Sequence, residues 1–104
     1  MASSKEYLDF ILEQLSELKE ITYKAMIGEY IIYYRGKNVG GIYDDRLLVK
    51  PVKAAISLMT DASYELPYEG AKEMLLVDNV DSKDFLTKLF DAMYEELPAP
   101  KKRK

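Results

Sequence analysis

The stretch from Met26 to Pro51, which reads MIGEYIIYYRGKNVGGIYDDRLLVKP, constrains the fold of this chain more than any other segment. It contains runs rich in β-branched residues and tyrosine, separated by two short turn signals, Gly36-Lys37 and Asp44-Asp45. Apolar runs of this length, broken by glycine or aspartate, are typical of antiparallel strands joined by hairpins. The segment and the residues just before it therefore predict a β-meander with strands at 22–27, 30–35, 38–43 and 46–50.

Helical patterns flank the meander on both sides. Leucine and isoleucine recur at three- and four-residue spacing from Ser3 to Lys19, and Ser3 with Glu6 has the spacing of a capping box. A short second helix is predicted over 51–59. A third begins at Asp81 as its N-cap, with Val80 and Phe85 at the positions of a hydrophobic staple.

Two further strands are predicted between the second and third helices. They are a short extended piece at 64–66, ended by Pro67, and a continuous apolar run at 74–77. The whole pattern predicts an α+β fold with the order helix, β-meander, helix, strand, strand, helix. We expect an antiparallel sheet of about five or six strands with helices packed on one face.

The length of 104 residues predicts one domain, which we place at residues 1–97. The last seven residues, 98–104, read PAPKKRK and are expected to form a flexible basic tail. The glycine pair Gly40-Gly41 lies inside the third predicted strand, where glycine is unusual. It indicates either a bulge or close crossing by a helix, or a backbone surface that a ligand approaches.

The chain contains neither cysteine nor histidine. This excludes disulfides, thiolate nucleophiles and zinc sites built on these residues. It also leaves no side chain with an ordinary pKa near neutrality for acid–base catalysis. An oxygen-only Mg²⁺ or Ca²⁺ site is the one metal option that remains. We expect no catalytic residues, no metal site and no cofactor, and we predict that the protein is not an enzyme.

The charge distribution argues against nucleic-acid binding by the folded body. The chain has 15 lysines and arginines against 18 acidic residues, and four of the positive charges lie at Lys101–Lys104. The body without that tail is strongly acidic and repels phosphate backbones. No apolar run is long enough for a membrane helix and no secretory signal is visible, so we predict a cytoplasmic location.

Tyrosine is the second unusual feature, with nine in the chain. Strand alternation puts Tyr30 and Tyr34 on one face of the second strand and Tyr33 on the other. Cross-strand aromatic packing accounts for tyrosines in a sheet, but tyrosine is also enriched in protein interfaces. The candidate protein-binding residues are Tyr30, Tyr33, Tyr34, Tyr43 and Arg46.

A second set of candidates is cationic. Arg35, Lys37 and Arg46 lie near Gly40-Gly41 in sequence and could bind an anion. The neighbouring Asp44-Asp45 pair is predicted to be a hairpin loop, because aspartate tolerates left-handed backbone geometry. A recognition contact through Arg46 or metal-assisted catalysis by the two carboxylates are the alternatives.

The chain resembles the N-terminal domain of the TfoX/Sxy competence-regulator family over roughly residues 20–97. The resemblance rests on the Met26-x-Gly28-x-Tyr30 pattern, the Gly36-Lys37 hairpin and the Asp-Asp-Arg turn, in that order. The later LPYEGAKEMLLVD segment resembles short stand-alone bacterial members. Ile27 stands where an aromatic residue is common, and Glu29 where glycine is common.

The resemblance implies an antiparallel sheet with helices stacked on one face and no catalytic residues. It also implies a link to competence regulation, although longer members carry a second, helical domain beyond the length of this chain. The expected function is a non-enzymatic protein-interaction domain with a transcriptional co-regulatory role and a partner in the transcription machinery. The alternative is a small-molecule or anion sensor. Because an open sheet leaves edges, a homodimer is also expected.

Overall fold

A computed structural model of the chain describes residues 4–26 and 28–97. Its elements follow the predicted order of helix, meander, helix, two strands and helix. They are α1 Lys5–Gln14, β1 Ile21–Met26, β2 Glu29–Tyr34, β3 Lys37–Ile42, β4 Leu47–Val49, α2 Lys53–Leu58, β5 Tyr64–Glu65, β6 Met74–Leu76 and α3 Lys83–Met93. A short 3₁₀ turn, Tyr94–Glu96, follows α3.

The strands form one six-stranded antiparallel sheet in the order β1-β2-β3-β4-β6-β5. The α+β class, the strand number and the packing of helices on one face are thereby confirmed. Side chains that alternate along the strands form a single buried cluster with the apolar stripes of the helices. Its members include Leu8 and Ile11 of α1, Ile32, Ile42, Val49 and Leu75 of the sheet, and Leu86 and Phe90 of α3.

The strand register separates the sheet into a helix face and a face that the described helices leave uncovered. Tyr30, Ile32 and Tyr34 share the helix face with Ile42, because Tyr30 pairs with Ile42 across β2 and β3. The opposite face, which we call the open face, carries Ile31, Tyr33, Gly41, Tyr43 and Leu48. Leu48 is fully buried but lies outside the main cluster, so other chain segments cover part of the open face.

Two helix starts lie one residue later than predicted. The N-cap of α1 is Ser4, whose hydroxyl accepts from the Tyr7 amide at 3.1 Å, and Ser3 lies outside the described residues. The N-cap of α3 is Ser82, which accepts from the Phe85 amide, so the predicted cap at Asp81 and its staple are wrong. Serine and aspartate are similar caps, so spacing alone could not choose between neighbours.

Helix α1 ends at Gln14, whereas the sequence pattern predicted helix as far as Lys19. The apolar periodicity continues past the helix because Leu18 packs against the core from the turn that follows. Glu20, with φ of 61°, then reverses the chain into β1. An apolar stripe therefore marks buried positions here and not the extent of the helix.

The β2–β3 hairpin turns at Arg35-Gly36, one residue before the predicted Gly36-Lys37. Both central residues have positive φ, 53° and 85°, as a type I′ turn requires. Lys37 already belongs to β3, where it pairs with Tyr34. The prediction assigned glycine to the first turn position, whereas the structure uses it at the second.

The Asp44-Asp45 hairpin is confirmed. Both aspartates have positive φ, 55° and 56°, and the backbones of Tyr43 and Arg46 exchange two hydrogen bonds across the loop. The Asp45 carboxylate accepts from the backbone amide of Ser4 at 2.8 Å. This contact places a negative charge at the positive end of α1 and docks the helix on the hairpin.

The glycine pair lies where β3 bulges and comes very close to its neighbours. The β2–β3 register shifts between Ile32 and Tyr33, so the bulge interpretation is confirmed. A Cβ at Gly40 would lie 2.0 Å from the Leu48 carbonyl oxygen. The close neighbour of Gly40 is therefore the backbone of β4 and not a crossing helix.

Candidate functional site

The open face carries a cluster of tyrosines around Tyr43. The Tyr43 ring lies across Gly41, where an added Cβ would be 2.9 Å from a ring carbon. On its other side the ring contacts Tyr68, with centroids 6.3 Å apart and a tilt of 55°. Glycine at position 41 therefore leaves room for the Tyr43 ring and for the Tyr30 carbonyl oxygen, which an added Cβ would approach to 2.5 Å.

The hydroxyl of Tyr43 sits among other polar groups. Burial raises the pKa of Tyr43 above its ordinary value of 10.0, and the nearby Tyr68, Glu29 and Tyr33 raise it further. Three phenols and one carboxylate thus converge at one place on the open face. Such a surface combines apolar rings with hydrogen-bonding tips, which is the composition that protein interfaces favour.

A cleft of about 660 Å³ adjoins this cluster, between the sheet and the segment 67–74 that folds over it. Tyr68 stands at the cleft with 59% of its surface exposed. The cleft is lined by Asn38, Tyr43, Lys50, Pro51, Val52, Pro67, Tyr68, Gly70, Ala71, Lys72, Glu73 and Met74. Asn38 Oδ1 is buried and accepts no hydrogen bond from the residues that the structure describes.

The predicted protein-binding tyrosines are divided between the two faces. Tyr33 and Tyr43 lie on the open face, where they contribute to the tyrosine cluster. Tyr30 packs partly against the core on the helix face, and its ring meets Tyr23 edge-to-face at 5.8 Å. Tyr34 is only 6% exposed, so its ring has little surface to offer a partner.

Tyr34 ties the sheet to α3. Its hydroxyl donates to the Asp91 carboxylate at 3.3 Å, and its ring meets Tyr94 edge-to-face at 5.4 Å. Burial raises the pKa of Tyr34 above its ordinary value of 10.0, and the Asp91 carboxylate raises it further, while Arg35 lowers it. The phenol is therefore held in its neutral form as a hydrogen-bond donor.

Replacing Tyr34 with phenylalanine should lower the free energy of unfolding at neutral pH and make it less dependent on pH in alkali. At neutral pH the lost hydrogen bond is expected to cost about 0.5–1.5 kcal/mol of unfolding free energy. Because the folded protein holds the Tyr34 proton more tightly than the unfolded chain does, Tyr34 contributes stability that is fully present below about pH 10. This contribution is lost as the pH rises through the folded-state pKa. Urea unfolding from pH 7 to about 11.5 should therefore show a shallower alkaline loss for Tyr34→Phe than for the wild type.

Tyr64→Phe is the matched control, because Tyr64 is 49% exposed on strand β5. It should follow the wild-type curve. An alkaline loss equally steep in Tyr34→Phe and the wild type would contradict the assigned role of Tyr34.

The structure does not gather the three predicted anion-binding cations into one site. Arg35 and Lys37 stack on the Tyr94 ring at 4.8 and 4.1 Å from its centroid, and Lys37 Nζ donates to the Tyr94 carbonyl at 3.1 Å. Arg46 lies beyond the other end of β3, about 20 Å along the strand. There it pairs with Glu65 and donates to the Tyr43 carbonyl at 3.1 Å.

Arg46 thus has a structural role next to the candidate site. Its guanidinium bridges the β3–β4 hairpin to the Glu65 carboxylate of β5 and contacts the Leu66 carbonyl at 3.4 Å. This places the start of the segment 67–74 over the open face. Among the described residues, no three acidic side chains come together as a metal-binding group.

Sequence reasoning missed Tyr68 and Glu29 as members of the cluster, and Asn38 as a residue that lines the cleft. Tyr68 lies between the two predicted strands 64–66 and 74–77, and its ring partner Tyr43 is 25 positions away along the chain. Glu29 lies between the predicted strands 22–27 and 30–35, so it was not assigned to a strand face. The one available signal was the tyrosine count, which did not say which rings would meet.

Comparison with known proteins assigns the family. The profile of the TfoX N-terminal domain matches residues 13–96, which is most of the chain. The chain belongs to the TfoX N-terminal domain family. This family is linked to competence regulation and is not a known enzyme family.

The chain is also 32% identical over 105 residues to an uncharacterised 12.7 kDa protein from the trpE 5′ region of Spirochaeta aurantia. The alignment covers all of this chain and 91% of that relative. No solved structure matches the chain significantly. None of the described helices has the length and apolar character needed to cross a membrane.

Proposed function

We propose that this TfoX-family domain is a non-enzymatic protein-interaction domain that acts in the cytoplasm in competence-related transcriptional regulation. The observation that carries the proposal is the cleft on the open face that Tyr43 and Tyr68 line, with Tyr33 near the Tyr43 phenol on the same face. The helices pack on the other side of the sheet, so a partner can reach this face without rearranging the core.

The chemistry of the cleft fits a protein surface better than a nucleic acid. Phenol rings supply flat apolar area, and their hydroxyls can donate or accept hydrogen bonds. The body of the chain carries an excess of negative charge once Lys101–Lys104 is set aside, which disfavours phosphate backbones. The family's link to competence regulation favours a partner in the transcription machinery.

The proposal predicts that Tyr68→Ala removes partner capture. Tagged wild type and variant would be purified from the source cells, and the captured proteins compared by quantitative mass spectrometry. Because interface aromatic residues often cost 2 kcal/mol or more when truncated, recovery of a specific partner should fall about 30-fold. Tyr68 is 59% exposed, so the variant should remain folded.

Tyr64→Ala is the matched control. Tyr64 is a tyrosine of similar exposure, 49%, but it pairs with Leu75 and so belongs to the helix face. It should capture the same proteins as the wild type. A partner that both variants retain equally would show that the cleft is not the contact surface.

Small-molecule sensing in the same cleft is the second candidate. It is favoured by the cleft volume and by Asn38 Oδ1, a buried acceptor that a ligand donor could satisfy after a small side-chain rotation. A thermal-shift screen of metabolites separates the two candidates, since a ligand that binds only the folded state raises the melting temperature. A screen without any shift leaves the protein-interaction proposal standing alone.

A further inference from the structure

The two edge strands of the sheet differ in length and protection. At one edge, β5 has only two residues and Pro67 follows it closely, which leaves little edge for another strand to pair with. At the other edge, β1 has six residues, pairs in continuous register with β2, and contains no proline. In the described part of the chain, β1 has no other strand neighbour.

Backbone groups of alternate β1 residues point away from the sheet. The Arg35 amide donates to the Glu20 carbonyl at 2.9 Å, so the even-numbered residues direct their backbone groups at β2. Hydrogen-bonded and non-hydrogen-bonded positions alternate in an antiparallel pair. The outward-facing N–H and C=O groups are therefore those of Ile21, Tyr23 and Ala25.

The side chains around this edge are mostly apolar and exposed. Tyr23 is 43% and Met26 is 54% exposed, and Lys24 is the single charged residue of β1. A cleft of about 560 Å³, lined in part by Leu12 and Leu18, runs beside Tyr23 on the helix face. A long edge with this composition is a template for pairing with another strand.

We propose that the protein forms a homodimer in which β1 of a second copy pairs antiparallel with this edge. The two-fold axis runs perpendicular to the sheet through Tyr23, so Tyr23 faces Tyr23 of the second copy. The two sheets then continue into one another. This surface is separate from the cleft of the proposed function and does not depend on it.

The register follows from backbone and charge. A two-fold axis perpendicular to the sheet can pass through Tyr23 or Lys24 and still pair five residues of each strand. The axis at Tyr23 pairs all three outward-facing residues with one another, which gives about six backbone hydrogen bonds between the strands. The axis at Lys24 gives about four. The Lys24 axis also sets two ammonium groups opposite each other, which is destabilising.

The Tyr23 register favours pairing of the β1 edge with a second copy of the chain over pairing with an unrelated peptide. Each Tyr23 ring already meets Tyr30 edge-to-face, with 78° between the rings. Two copies would join these pairs into a cluster of four rings on the helix face. The same axis puts both open faces on one side of the dimer, where a partner could engage two clefts at once.

Single-cysteine variants test the register, because the chain has no cysteine of its own. In the proposed dimer Thr22 faces Lys24 of the second copy in a non-hydrogen-bonded pair with Cα atoms about 4.5 Å apart, which suits a disulfide. A mixture of Thr22→Cys and Lys24→Cys should therefore give a mixed disulfide under mild oxidation. These variants keep Tyr23 in place.

The mixture of Thr22→Cys and Met26→Cys is the control, since these positions face each other only in the Lys24 register. The proposal expects the first mixture to cross-link at least about tenfold faster than the second. Equal rates in the two mixtures, or no mixed disulfide in either, would overturn it. Mass spectrometry of the linked peptides identifies which pair has formed.

Sedimentation of the cysteine-free chain tests the dimer itself. The wild type should show a concentration-dependent dimer, and Tyr23→Lys should raise its dissociation constant about tenfold or more by placing two ammonium groups at the axis. Tyr64→Lys, on the opposite edge, should dissociate like the wild type. A wild type that stays monomeric up to about 1 mM would overturn the proposal.

Discussion

Gly40→Ala is expected to lower the free energy of unfolding by about 3 kcal/mol or more, a large part of the stability of a domain this size. The added Cβ would lie 2.0 Å from the Leu48 carbonyl oxygen and 2.7 Å from Val49 Cα. Both are backbone atoms of β4, and they cannot move without opening the β3–β4 pair. Urea unfolding followed by circular dichroism measures the loss.

Gly70→Ala is the matched control for this change. Gly70 has φ of +88° but nothing within 4 Å of the position of an added Cβ. It should cost only the conformational strain of a left-handed residue, about 1–2 kcal/mol. If the two variants lose the same stability, close contact between β3 and β4 is not the reason for glycine at position 40.

Phe90→Ala is expected to cost about 3–5 kcal/mol, because the ring is fully buried between α3 and the sheet and its removal leaves a cavity. Phe10→Ala makes the same chemical change on α1, where the ring is 39% exposed. It should cost about 1 kcal/mol or less. Thermal and urea unfolding of the two variants compares them directly, and similar losses would contradict the single-sided core.

The order of elements could be predicted from the sequence because its signals are local. Alternating apolar residues, the glycine and aspartate turns and the stripe of α3 each report on a few neighbouring positions. The predicted turn and cap positions were wrong by one residue where two neighbouring residues have similar chemistry, as Asp81 and Ser82 do. The Asp44-Asp45 hairpin was placed correctly because both residues tolerate positive φ.

The candidate site could not be assembled from the sequence in the same way. Which face each tyrosine of β2 occupies follows from alternation, but which face the helices cover depends on the whole core. The cleft needs the segment 67–74 to return over the sheet, and that return is held by Arg46 and Glu65, 19 positions apart. Long-range contacts of this kind leave no periodic signal.

Two residues predicted to bind a partner or an anion have structural roles instead. Tyr34 was a candidate for partner contact, but its ring is buried and its hydroxyl is committed to Asp91. Arg46 was a candidate for recognition or anion binding, but it bridges the hairpin to Glu65. Tyr33 and Tyr43 remain the predicted residues that contribute to the open face, and Tyr68 joins them.

Site-specific photo-crosslinking in the source cells tests whether a partner protein contacts the open face. A photoreactive phenylalanine analogue would replace Tyr68 on the open face in one strain and Tyr64 on the helix face in another. The two positions have similar exposure, 59% and 49%, so both probes reach solvent. We expect a discrete crosslinked protein from position 68 and none from position 64. Crosslinks of equal yield from both positions, or from position 64 alone, would contradict it.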